Sequence, residues 1–133
     1  MSKYCFNAKL TRHVASMDEG QTIRFTADLN KGNQYSNGTG VFTAPVEGWY
    51  SFSFSVAHKS HRGSLSVHLL VSGTASVGAT AHQAPAGQNS QASNEAIIRM
   101  TAGDVAQVVV SDSATDVIAD GYTSFSGFLL YSD

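Results

Sequence analysis

Apolar and polar residues alternate along much of this chain with a period of two. The clearest run covers residues 49–57. Tyr50, Phe52, Phe54 and Val56 fall on one face, and Ser51, Ser53 and Ser55 on the other. A helix brings every third or fourth residue to one face, so this alternation predicts a strand with one buried side. Leu65, Val67, Leu69 and Val71 repeat the pattern. Shorter or weaker runs predict further strands at 5–10, 22–27, 41–44, 75–81, 96–101, 105–110 and 123–131. Turn residues separate them: Asn30-Lys31-Gly32-Asn33, Ser36-Asn37-Gly38, Pro45, Ser72-Gly73 and Gly103-Asp104. Residues 58–63 and 85–93 read as exposed polar loops. No linker, repeat or composition break divides the chain, so the expectation is one all-β domain over residues 1–133, a sandwich or barrel.

Two late strands break the alternation. Val108-Val109-Val110 and Phe128-Leu129-Leu130 have no polar side. A sheet with one wet face should alternate, so a second face must be covered there. A second subunit would cover it, and so would a loop folded over the sheet. Exposed apolar patches of this kind mark interaction surfaces.

Composition supports a packed core and removes several function classes. The chain has 133 residues, 42% hydrophobic and only 14% charged, with a formal net charge of -2. Nothing in that balance attracts nucleic acid or an anionic membrane. No apolar run approaches bilayer length, which excludes membrane insertion by a spanning helix. Met1-Ser2-Lys3-Tyr4 lacks the apolar stretch of a secretory leader, so the protein is made without one or a leader has been removed. Cys5 is the single cysteine. It reads as a small buried strand residue, with an intermolecular disulfide as the alternative.

No nucleophile elbow, zinc-protease helix, paired-cysteine motif or phosphate loop is present, which points to binding rather than catalysis. His58 and His61 form an H-x-x-H pair within His58-Lys59-Ser60-His61-Arg62. In a loop that spacing fixes no metal geometry, and zinc would need more ligands. The cluster suits an anion better. Arg62 can fork a carboxylate, Lys59 adds charge, and the histidines can hydrogen-bond hydroxyls. Asp120-Gly121-Tyr122 offers a second polar edge, since Tyr122 can stack on a sugar ring while Asp120 accepts hydroxyl hydrogen bonds. The alternative for both is a solvated loop or turn.

One stretch carries recognisable spacing: Phe25, Asn30, Tyr35, Phe42, then Gly48-Trp49-Tyr50-Ser51-Phe52-Ser53-Phe54. Gln91-Ala92-Ser93, Ala102-Gly103-Asp104-Val105 and Phe125-Ser126-Gly127-Phe128-Leu129-Leu130-Tyr131 follow in order. Together they resemble the signature of complement C1q-like globular head domains. Two departures are the gap from Phe25 to Asn30, one residue shorter than usual, and the small Ala106 after Val105. The resemblance implies a ten-stranded jelly-roll β-sandwich, shared with tumour necrosis factor-like ligands, and a compact homotrimer. It also raises calcium, the family's usual ion, which needs several oxygen ligands. No Asp or Glu lies between Gly63 and Asn94, and Asp112, Asp116 and Asp120 cluster before the last strand. Calcium is therefore a secondary expectation, and the main one is no cofactor.

The function implied is that of a secreted, soluble recognition protein. It would be a trimeric lectin or pattern-recognition molecule, binding glycans, including sialylated ones, or other anionic microbial surface molecules. His58, Lys59, His61, Arg62, Asp120 and Tyr122 are the candidate contact residues. The alternative is a cytokine-like or synaptic-organiser-like trimeric ligand for a protein receptor. A third, weaker option is a head whose task is trimerisation alone.

Overall fold

The alternating runs do form strands. In a computed structural model describing residues 4–60, 63–117 and 121–133, twelve segments appear in this order. They are β1 (Cys5–Lys9), β2 (Val14–Met17), β3 (Thr26–Lys31), β4 (Tyr35–Ser36), β5 (Val41–Thr43), β6 (Gly48–His58), β7 (Leu65–Val71), β8 (Thr74–Ala81), β9 (Ser90–Met100), β10 (Val105–Val110), β11 (Ala114–Val117) and β12 (Ser124–Ser132). No helix occurs among the described residues, so none is long and apolar enough to cross a membrane.

Two sheets result. The smaller runs β4-β5-β10-β7-β8, and the larger contains β2, β11, β6, β12, β1, β3 and β9. Register shows that four segments of the larger sheet are two interrupted strands. β1 lies along β12 from Cys5↔Phe128 to Lys9↔Ser124, and β2 continues along β11 from Val14↔Val117 to Met17↔Ala114. β12 and β11 in turn follow β6, from Ser132↔Gly48 through Ser124↔Ser55 to Val117↔His58. Counted this way, the described strands make five-on-five, the expected ten-stranded jelly roll. Thr123 closes the break. Its buried Oγ1 accepts from the Ala57 N–H at 3.1 Å, and its carbonyl accepts from the Leu10 N–H at 2.9 Å.

The core between the sheets is aromatic. Phe6 stacks on Tyr35 at 4.8 Å and on Phe42 at 5.2 Å, and meets Phe125 edge-on at 4.9 Å. Phe42 packs edge-on against Phe52 at 5.6 Å. All are buried, as are Tyr50, Phe54 and Val56 from the serine-alternating strand β6. Each such side chain contributes roughly 1.5–3 kcal/mol by leaving water. Gly127 is where β12 must accommodate this packing, because a Cβ there would lie 2.6 Å from Phe52 Cδ1.

Some boundaries moved, for physical reasons. The expected strand at 22–27 begins only at Thr26, because residues 20–23 bond across to β10 instead. Ile23 N–H donates to the Val108 carbonyl and Val110 N–H to the Gln21 carbonyl, both at 2.9 Å. β9 starts at Ser90, well before the expected residue 96, because its polar first half pairs with β6 from His58↔Ser90 onward. Cys5 is a strand residue but only half-buried, on the outer side of the larger sheet beside Phe128. Residues 58–63 are not all an exposed loop: His58 ends β6 and is buried, and Ser60 is buried too.

Candidate binding surface

The six residues singled out from the sequence fare differently. His58 does not face solvent. Its side chain is 1% exposed, and its Nε2 lies 2.8 Å from the His82 carbonyl oxygen. The period-two alternation of β6 puts it on the inward face after Val56, away from any surface site, a correction to the expected role. Lys59 is exposed, and its N–H donates to the Asp116 carbonyl at 3.2 Å. Tyr122 is exposed at the same end of the larger sheet. Its carbonyl accepts from Ser55 Oγ at 3.2 Å and from Gln91 Nε2 at 3.1 Å, which fixes the backbone and leaves the ring outward. His61, Arg62 and Asp120 lie outside the described residues. The structure therefore brings Lys59 and Tyr122 to one end of the fold. Among the described residues no three His, Cys, Asp or Glu side chains converge as a metal site.

A larger feature is the outer face of the larger sheet. Register aligns its side chains in rows across β9, β6, β12 and β1. The first row is Arg99, Trp49 and Tyr131. The next is Ile97, Ser51, Phe128 and Cys5, and the third is Glu95, Ser53, Ser126 and Asn7. The face is thus divided. One half carries exposed apolar groups, with Ile97 at 60%, Tyr131 at 57% and Phe128 at 42%. Trp49 and Tyr131 rings lie 6.5 Å apart. Leu29 on β3 is also exposed, but it stands beside Asn7 in the third row. The other half is an open groove lined by Ser53, Ser55, Ser93, Asn94, Glu95, Ser124 and Ser126.

Charge sits only at the margin of the apolar half. Arg99 forms ion pairs with Glu47 at 3.1 Å and with Asp133. These partners, Asp133 first, raise its already high pKa further. Such exposed pairs orient an edge more than they stabilise a fold. The unbroken apolar run at 128–130 pointed to this face. Ile97 and Trp49 escaped notice because each joins the patch only through cross-strand register.

A family model described as C1q domain matches residues 5–130. The chain belongs to the C1q domain family. This C1q domain is 28% identical over 126 residues to complement C1q tumor necrosis factor-related protein 3 of Mus musculus, covering 95% of the chain and 50% of the relative. It is 30% identical to Caprin-2 of Danio rerio over 98% of the chain and 14% of that protein. It thus spans about half or less of the curated relatives it matches. Among solved structures, the globular domain of zebrafish complement 1qA superposes with a TM-score of 0.78 at 20% identity, covering 98% of this chain and all of that one. Eiger TNF from S. frugiperda gives 0.81 at 9% identity, covering 100% of this chain and 96% of the other. At those identities the likeness is one of fold, the C1q and tumour necrosis factor jelly roll.

Proposed function

We propose that this C1q domain is a non-catalytic, secreted recognition module that works as a homotrimer. It binds glycans, including sialylated ones, or other anionic microbial surface molecules through loops at one end. The observation that carries the reading is the divided outer face of the larger sheet. Its apolar half, Ile97, Phe128, Trp49 and Tyr131, is the kind of surface that a symmetric partner covers. Trimerisation through it leaves the loop end free, where Lys59 and the outward ring of Tyr122 sit. His61, Arg62 and Asp120 are assigned to the same ligand on sequence grounds. Three weak sites held on one rigid trimer gain avidity for a repeated surface. No cofactor is required; calcium held by Asp112, Asp116 and Asp120 is the secondary reading.

A glycan array displaying sialylated and neutral sugars at multivalent density tests this, with and without chelator. Binding lost in Tyr122→Ala is the expected result, and no binding to any glycan rejects the lectin reading. A second reading, a trimeric ligand for a protein receptor, is favoured by the superposition on Eiger TNF and on murine APRIL, the latter with a TM-score of 0.74. Capture of a cell-surface protein that competing sugars do not displace would select it.

A further inference from the structure

A groove with a distinctive chemistry opens on the side of the domain, between residues 10–14 and 21–24. Its floor is apolar: Leu10, Val14, Met17 and Ile23. Its rim carries Arg12, Gln21, Thr22, Arg24 and Asn37. None of these belongs to the end-loop set or to the apolar sheet face; Val14 and Met17 are the ends of β2, and Thr22 bridges Val109.

Both arginines are exposed, and neither has an ion-pair partner among the described residues. Asp18 and Glu19 sit on the neighbouring turn but do not line the groove. The two amides point the same way electrostatically. Gln21 Oε1 accepts from the Asp18 N–H at 3.0 Å, and Asn37 Oδ1 accepts from the Ala27 N–H at 2.9 Å. With both oxygens held by the backbone, the amide nitrogens are the atoms left to meet a ligand. Each is a donor, as are both guanidinium groups.

The frame is fixed before any ligand arrives. Residues 20–23 are tied to β10 by three backbone hydrogen bonds: Gly20 N–H to the Val110 carbonyl, Val110 N–H to the Gln21 carbonyl and Ile23 N–H to the Val108 carbonyl, at 2.8–2.9 Å. Gly40 lets the loop bearing Asn37 close on this segment. Its φ is +77°, and a Cβ there would stand 2.6 Å from the Ile23 carbonyl oxygen and 3.2 Å from Arg24 Cα. Only glycine permits that approach. Thr22 Oγ1 donates to Gln107 Oε1 at 2.6 Å, so towards a ligand it can only accept.

We infer that this groove binds the carboxylate of an acidic monosaccharide unit. Two guanidinium groups and two amide donors suit a carboxylate, the Thr22 oxygen suits a sugar hydroxyl, and the apolar floor suits the carbon face of the ring. The site goes beyond the end-loop reading and stands without it.

Titration of the full 15N-labelled chain with glucuronic acid tests the assignment, with its methyl ester and inorganic sulfate as controls. The acid should shift the Arg12 and Arg24 side-chain Nε–Hε signals saturably at millimolar concentration, and the ester should not. R12Q or R24Q should each weaken binding about tenfold, the scale of one charge-assisted hydrogen bond, and the double variant should abolish it. Lys59→Ala and Tyr122→Ala should leave this binding unchanged while removing end-loop glycan binding, so the two sites fail separately. The inference is overturned by an ester that binds as well as the acid, by sulfate that competes equally, by no shift at the two arginines, or by a double variant that titrates like the wild type. Circular dichroism verifies that the variants are folded.

Discussion

β10 and β12 carry the same pattern, three consecutive apolar residues with no polar side, and they end in opposite situations. In β10 the outward residue is Val109, only 4% exposed. Its cross-strand neighbours are His68 and Thr22. Those two are pinned along β10 by hydrogen bonds, His68 Nδ1 with Ser111 Oγ at 2.9 Å and Thr22 Oγ1 to Gln107. Val109 is thus enclosed by its own chain. In β12 both Phe128 and Leu130 are exposed, and the neighbours of Phe128 are the small Cys5 and Ser51. A large ring between small neighbours stays 42% exposed. The run of apolar residues is therefore not itself a mark of an interface. The size and bonding of the side chains across the strand decide whether the domain covers its own surface or leaves it for a partner.

The comparison can be broken from either side. The largest effect belongs to β10. Val109→Asp places an unpaired carboxylate in an enclosed site and should cost about 3–5 kcal/mol. Chemical unfolding would show it, and a loss below 1 kcal/mol would mean that Val109 is not enclosed. On the inner side of β12, Gly127→Ala forces a Cβ against Phe52 and Phe6. Overpacking of that kind should cost about 1–3 kcal/mol in the same measurement.

On the outer side of β12, Phe128→Asp should behave in the reverse sense. Monomer stability should stay within about 0.5 kcal/mol of wild type. Association should be lost, visible as a fall in sedimentation coefficient. If the variant unfolds instead, β12 and β10 are alike and the contrast fails.

The smallest effect lies at the turn that starts β10. Asp104 Oδ2 accepts from the Thr101 N–H at 2.9 Å and from Thr101 Oγ1 at 3.0 Å, and Oδ1 accepts from Ser72 Oγ at 3.1 Å. These bonds favour the carboxylate and lower its pKa, the Thr101 N–H most. The stabilisation is present above the unfolded value near about pH 4 and is lost as pH falls through the lower folded value. Asp104→Asn should therefore lower stability slightly at neutral pH, leave it nearly unchanged in acid, and so flatten the acid limb of the profile. A thermal melting series from neutral to acid pH would reveal it.

What was legible in the sequence follows from local physics. Tyr50, Phe52, Phe54 and Val56 announce a strand because alternation is local, and all four are buried. The break at Thr123 and the short strands β2 and β11 were not legible, because they exist only through pairing with distant partners. β9 was underestimated for the same reason: Ser90 to Glu95 is polar and becomes strand only beside β6. His58 was misplaced because a histidine next to Lys59 reads as loop, whereas its ring finds a buried carbonyl at His82. The Arg12–Arg24 groove was invisible because it forms only where residues 20–23 bond to β10 and the loop bearing Asn37 closes at Gly40.

The mass of the protein in solution tests the central claim most directly. Light scattering on the wild-type chain at micromolar concentration should report about three times the 14.0 kDa monomer, with the Ile97, Phe128, Trp49 and Tyr131 face buried. A particle of 14.0 kDa under the same conditions would contradict the account, because that face would then remain open to water.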